Sequence, residues 1–293
     1  LASTRDLRRK PFSISSVGVV ERPPMPEPVN QLKPVAPHRW VVRGSFHEGD
    51  ARFPEEHRGK QATPTAIAAV AYAHVVPPDS WTEDDTLIRG DTLYETTMEN
   101  LERMGISMDM SGGAETAEGE EAEEVPVGTL AAADVATRFR VTDYDCIETD
   151  VQDSAFSGKP VFISVNYRSL SPAPGVLSLR QSLKKFFQEA SYGVVTARGS
   201  SLAVMRTDNH QLYLFDPHGC DEKGYPSDDV RAAACLVCVG SSTDALADAI
   251  ESNLPPGNDD SFNISPVEVT PTKLNMELGA PEPKLEVTVD YLI

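Results

Sequence analysis

Asp216 and His218 close the apolar run Leu212-Tyr-Leu-Phe-Asp-Pro-His218, two residues apart. On an extended backbone that spacing sends both side chains to the same side, so a carboxylate can orient an imidazole that acts as a base. The same D-P-H sequence also serves as an ordinary capped turn at a strand end, so it gains meaning only beside a nucleophile. The second region is Gly44-Ser-Phe-His-Glu48-Gly-Asp-Ala-Arg-Phe53, followed by Arg58-Gly-Lys-Gln61-Ala62-Thr-Pro-Thr-Ala-Ile67. A polar, glycine-bearing loop that feeds a helix start suits a thiol nucleophile, because the helix N-terminus lowers the thiol pKa and favours thiolate. Ala62 occupies that place, and a methyl group can neither ionise nor attack.

The remaining chemistry-bearing residues offer little. Cys220 lies two positions past His218, but no helix start or oxyanion donor is evident beside it, so it reads as a bystander. Cys235-Leu-Val-Cys238 has C-x-x-C spacing inside an apolar strand, where positions i and i+3 face opposite sides and no second ligand pair exists. Core packing is the expected role. His38, His47, His57, His74, His210 and His218 show no metal-ligand spacing, and His47 and His57 read as loop residues. Neither a metal nor a cofactor is expected.

The elements that must position these groups can be read from punctuation and periodicity. Thr63-Pro64 reads as an N-cap with Pro at the first helical position, leading into Ala66–Ala73. Thr82 with Asp85 reads as the cap of a second helix running to about Met104 and stopped by Gly105. Val161–Val165 suits a buried strand. Leu179, Leu183, Phe186 and Phe187 sit at helical spacing and predict an amphipathic helix over 179–188. Three β-rich segments follow, at 194–196, 202–205 and 211–215, separated by Gly199 and by Asp208-Asn209, and they predict a meander. Cys235–Val239 reads as a further strand before a helix capped by Ser242 or Thr243. Early helices with a later antiparallel sheet give an α+β class.

The order of these parts resembles the papain-like deubiquitinase domain of herpesvirus large tegument proteins. That family has a Gln in a Gly-bounded loop, a Phe, a Gly, a Gln-Cys pair opening a helix, and much later Phe-Asp-Pro-His. Phe53, Gly59, Gln61 and the block Phe215-Asp216-Pro217-His218 match it over roughly residues 41–250. The resemblance implies a papain-like cysteine peptidase fold, with N-terminal helices packed on an antiparallel sheet and extended arms flanking both. It implies that Asp216 and His218 are orienter and base, that Gln61 precedes the nucleophile position, and that Ala62 fills it. The loop Gln that would stabilise an oxyanion aligns with Glu48, whose charge would repel one.

Seven of the 23 prolines fall in residues 1–38 and six in 251–293. Proline fixes φ and removes a donor, so the ends read as extended arms: a proline-rich N-terminal arm at 1–38 and a C-terminal arm at 251–293. They flank a domain at 39–250 that carries an acidic loop insertion at 107–127. Within that loop, GGAETAEGEEAEE has six glutamates and no base, and is either a solvated insertion or a lure for a basic partner. The basic cluster Arg5, Arg8, Arg9 and Lys10 is either solvated or docks on an acidic neighbour. The alternating run 285–293 predicts a strand, joining either its own sheet or another subunit.

Lys+Arg 26 against Asp+Glu 45 gives a net charge of −19, which disfavours nucleic acid and anionic membrane surfaces as partners. Four scattered cysteines are no secreted disulfide framework, and no run approaches the roughly 18 apolar residues of a membrane span. The expected location is intracellular (cytoplasm or nucleus) or virion, and not secreted. A chain that begins with Leu1 is either a processed product or an excerpt. Two functions follow. One is a catalytically inactive deubiquitinase-like protein kept for binding neighbouring subunits or ubiquitin. The other is an active ubiquitin-specific cysteine peptidase carrying a Cys-to-Ala change at position 62. A blander third option is a binding module with no catalytic past relevant to its role.

Overall fold

The computed structural model describes residues 32–82, 87–104, 130–135, 138–140, 146–151, 156–158, 177–255 and 261–272. The strands are β1 (Lys33–Ala36), β2 (Arg39–Arg43), β3 (Arg138–Arg140), β4 (Cys146–Val151), β5 (Phe156–Gly158), β6 (Tyr192–Ala197), β7 (Ser200–Arg206), β8 (Leu212–Cys220), β9 (Ala233–Cys238) and β10 (Phe262–Thr272). They form one antiparallel sheet in the order β1-β2-β9-β8-β7-β6-β10-β4-β3, with β5 also on β10. The helices are α1 (Ala62–Val75), α2 (Leu87–Arg103), α3 (Leu179–Glu189) and α4 (Thr243–Asn253). Among the described residues no helix is long and apolar enough to cross a membrane.

Period-two alternation splits the strand side chains between two cores. Ala203 and Met205 of β7, Tyr213 and Phe215 of β8, and Leu236 and Cys238 of β9 pack with the apolar residues of α1 and α2. Leu202, Val204, Leu212, Leu214, Cys235 and Val237 face the other way and pack with α3 and α4. Cys235 and Cys238 thus lie in opposite cores, as i, i+3 positions of a strand must. Both are free thiols. The helices differ accordingly. Residues 62–73 of α1 are all buried, and their run of alanines lets a helix without a polar face sit between α2 and the sheet. α3 instead buries Leu179, Leu183, Phe186 and Phe187 along one side, with Ser178 accepting from the Gln181 N–H at its N-terminus.

The meander and the amphipathic helix appear where the residues predict them, and Ser242 caps α4 through the Ala245 N–H. Two expectations need correction. The N-cap of α1 is Gln61 rather than Thr63, and Pro64 is the third helical residue. The Thr63 hydroxyl is engaged elsewhere, 2.8 Å from the Ser201 hydroxyl on β7. Proline is still tolerated there because the first-turn N–H groups have no intrahelical acceptor. The limits drawn at 39 and 250 are also too narrow. β1 pairs with β2 inside the supposed N-terminal arm, α4 runs to Asn253, and β10 pairs with β6 inside the supposed C-terminal arm. Prolines 266 and 271 sit within β10 without excluding it from the sheet. The segment 1–31, the acidic loop, the Asp85 cap, the strand at 161–165 and the closing strand at 285–293 lie outside the described residues.

Candidate functional site

β8 loses register with β9 at the site. Four steps along β8, Asp216 to Cys220, are matched by two along β9, Cys235 to Ala233. The surplus bows Pro217, His218 and Gly219 out of the ladder, a bulge that re-aims the His218 side chain. Pro217 has no N–H to lose, and its carbonyl accepts from the Glu48 N–H at 3.1 Å. The bulge therefore holds the loop before α1 against the end of β8.

That loop is fixed at several points. The Ala234 N–H donates to the Phe46 carbonyl, and Gly59 N–H to the Glu48 carbonyl. Phe46 packs edge-on to Phe53 at 5.7 Å, and Arg58 donates to the Phe53 and Ala51 carbonyls. Gln61 Nε2 donates to the Glu48 carbonyl at 3.2 Å. The result brings four of the five predicted residues into one chain of contacts, Gln61 to Glu48 by a hydrogen bond, Glu48 to His218 by an ion pair, and His218 to Asp216 by a hydrogen bond. Ala62, the fifth, follows Gln61 as the buried first residue of α1.

His218 stands between two carboxylates. Its Nδ1 lies 2.7 Å from Asp216 Oδ1, which also accepts the His218 backbone N–H at 2.9 Å. Its Nε2 lies 3.4 Å from Glu48 Oε1. Burial works against a charged ring, but the Asp216 charge, its hydrogen bond and Glu48 outweigh it, and the imidazole pKa is raised to about 9. Burial likewise pushes the Asp216 carboxyl upward, yet His218 and the Asn253 donor win and hold it below its ordinary value. For Glu48 burial prevails and the carboxyl is raised, with His218 opposing and Asp216 assisting. Its second oxygen, Oε2, is buried and accepts no hydrogen bond from the described residues.

Two neighbours fall outside the sequence motifs, Asn253 and Arg39, and the Cys220 thiol is a third, beside Asp216. Asn253, the last residue of α4, donates to Asp216 Oδ2 at 2.8 Å and to the Gly224 carbonyl at 3.0 Å. Arg39 donates to the carbonyls of Lys223 and Gly224 from the far side of the same turn. The buried Cys220 thiol lies 3.5 Å from Asp216 Oδ2. Contact with Cys235, burial and the Asp216 charge raise its pKa well above the ordinary thiol value, so it stays protonated and is no substitute nucleophile. A cleft of about 390 Å³ beside His218 is lined by His47, Ser200, Gly219, Ser227, Asp229 and Asn253 among others, and neither Glu48 nor Ala62 lines it.

Among the described residues, the group whose atoms could converge on a metal is His57, Asp91 and Glu95. His57 Nδ1 is 3.3 Å from Asp91 and 3.8 Å from Glu95, one turn apart on α2, and these contacts tie the loop before α1 to that helix. His57 also packs edge-on to Tyr94. Its place against α2 differs from that of a plain loop residue.

A family model described as the N-terminal conserved region of herpesvirus tegument proteins matches residues 170–273, which include Asp216, His218 and Asn253 but not Glu48, Gln61 or Ala62. No curated protein matches the chain. A crystal structure of the ubiquitin-specific protease encoded by a murine cytomegalovirus tegument protein, in complex with a ubiquitin-based suicide substrate, aligns with a TM-score of 0.56 at 15% identity, over 82% of this chain and 89% of that one. The chain therefore has the mixed helix and antiparallel-sheet architecture of a viral ubiquitin-specific protease, a papain-like fold, and carries the herpesvirus tegument match over residues 170–273.

Proposed function

We propose that this chain is a catalytically inactive deubiquitinase-like tegument protein, its papain-like fold kept for binding other proteins in a virion or another large assembly. The observation that carries this reading is the Glu48–His218 contact beside a helix start that offers only Ala62. In a cysteine peptidase a thiolate is the anion that the imidazolium faces, and the oxyanion needs a donor. Here the Glu48 carboxylate supplies the anion instead. The imidazolium of His218, held to about pH 9, thus has a carboxylate and no thiolate at its Nε2. Partners under this reading are ubiquitin or neighbouring subunits, and the setting is the virion or the infected cell.

A second reading is an active peptidase of the ubiquitin-removing kind, with alanine replacing its nucleophile at position 62. The intact hydrogen bonding of His218 to Asp216 favours it, because an orienter serves a base. The test restores the thiol: Ala62→Cys alone, and combined with Glu48→Gln, is challenged with a ubiquitin carrying a C-terminal electrophile. Labelling of the double variant only is the expected result. Labelling of Ala62→Cys alone overturns the decayed-site reading, and failure of both to react leaves a purely binding role.

A further inference from the structure

We infer that Asn253 is a positioning residue for Asp216 and, through it, for the imidazole of His218. The inference rests on reading Asp216 and His218 as orienter and base, and extends that machinery to an element 37 residues downstream of Asp216.

The amide of Asn253 has two N–H donors, and both are used on acceptors: Asp216 Oδ2 at 2.8 Å and the Gly224 carbonyl at 3.0 Å. The reverse amide orientation would turn its oxygen toward a carboxylate and a carbonyl, two acceptors, so the chemistry of the partners fixes the assignment. The cost is visible. Asn253 Oδ1 is buried and accepts no hydrogen bond from the described residues. A buried amide that leaves its own acceptor unpaired to aim both donors is held there by the groups it serves.

The consequence for Asp216 is geometric. This carboxylate is 1% exposed, and its two oxygens have separate tasks. Oδ1 receives the ring and backbone N–H groups of His218, while Oδ2 receives Asn253 and the Cys220 thiol. Without Asn253 the carboxylate could rotate about its Cβ–Cγ bond and present either oxygen to the ring. With it, the plane is fixed and the imidazole follows. The groups facing His218 are then Asp216 at Nδ1, Glu48 at Nε2, and His47, whose charge acts on the same site. α4 thereby joins the site from the core opposite α1.

A purely structural role for Asn253, holding the 221–225 turn, is separable from positioning, because Arg39 holds the same turn without touching Asp216. The test follows the His218 Nδ1–H proton by NMR in the chain as it stands, with Ala62, so its outcome is independent of whether the site can be revived. The unaltered protein is expected to show a downfield, slowly exchanging Nδ1–H. In Asn253→Ala that proton exchanges about tenfold faster or is lost, the size expected for removing a hydrogen bond to a charged group. Arg39→Ala lowers the melting temperature but leaves the His218 signal in place. Asn253→Gln keeps the amide on a longer arm and supplies a second variant should Asn253→Ala not fold. An unchanged His218 proton in a folded Asn253 variant overturns the inference, as does an equal loss in Arg39→Ala.

Discussion

At the scale of single residues, Asp216 first and Glu48 after it set the protonation of His218. The folded imidazole of His218 lies above its ordinary 6.5, so its ion pairs contribute stability that is full below about pH 6.5 and lost as the pH rises through about 9. The Glu48 carboxyl is also raised, so its contribution too is lost with rising pH. Asp216 runs the other way: its pKa is depressed, and its contribution is present above the ordinary Asp range and lost as the pH falls through the folded value. The melting temperature should therefore decline between about pH 6.5 and 9, a loss on the order of 2–3 kcal/mol at most. Glu48→Gln should flatten that decline and bring the His218 titration midpoint, read by NMR, back toward the ordinary imidazole range. A midpoint unmoved by the substitution would show that Asp216 alone holds the proton. In the sequence, Asp216 and His218 stand out by their spacing on a strand, and Gln61 and Glu48 only through the family resemblance. Asn253 does not stand out, since nothing local distinguishes an asparagine at a helix end from one whose amide reaches a carboxylate on a distant strand.

Helices and strands were legible where a single periodicity ruled. α3 follows its apolar stripe, and the meander follows its turn residues. α1 was less so, because a helix buried all round has no stripe and its start is decided by a contact, Thr63 to Ser201, that only the fold creates. The same crowding makes two glycines decisive. A Cβ on Gly90 of α2 would lie 2.6 Å from the Thr65 Cα of α1 and collide with its hydroxyl, so the two helices approach at that point through the missing side chain. On Gly193 of β6 it would meet the Phe186 ring of α3 at 2.6 Å and the Ser265 carbonyl of β10 at 2.9 Å. Gly90→Ala and Gly193→Ala should each cost about 1–3 kcal/mol in chemical denaturation, the range for overpacking a filled interior. Gly199, with open space around its Cβ position but φ of +71°, should respond more mildly to alanine, through backbone strain alone.

For the whole molecule, proline content misled because it was read as a property of segments rather than of pairing. Pro266 and Pro271 lie in a strand whose neighbours on both sides hold it: β6 pairs with residues 263–266 and β4 with 267–272. Each half of β10 thus faces a different partner, and the strand bridges the meander to the β3–β4 pair. Removing it would uncover the β6 edge and take away Phe262 and Ile264, which pack in the core shared with α3 and α4. A chain ended after Pro255 keeps Asp216, His218 and Asn253, yet it is expected to lose cooperative unfolding and to aggregate through the freed edge. A chain ended after Thr272 keeps every described pairing and is expected to melt as the full chain does. Circular dichroism with size-exclusion chromatography distinguishes the two, and Trp81, buried against Tyr72 and Phe215, reports by fluorescence on the α1 core. Should the Pro255 truncation melt cooperatively at the same temperature, β10 would be an accessory strand, and the boundary near 250 would stand as the true edge of the folding unit.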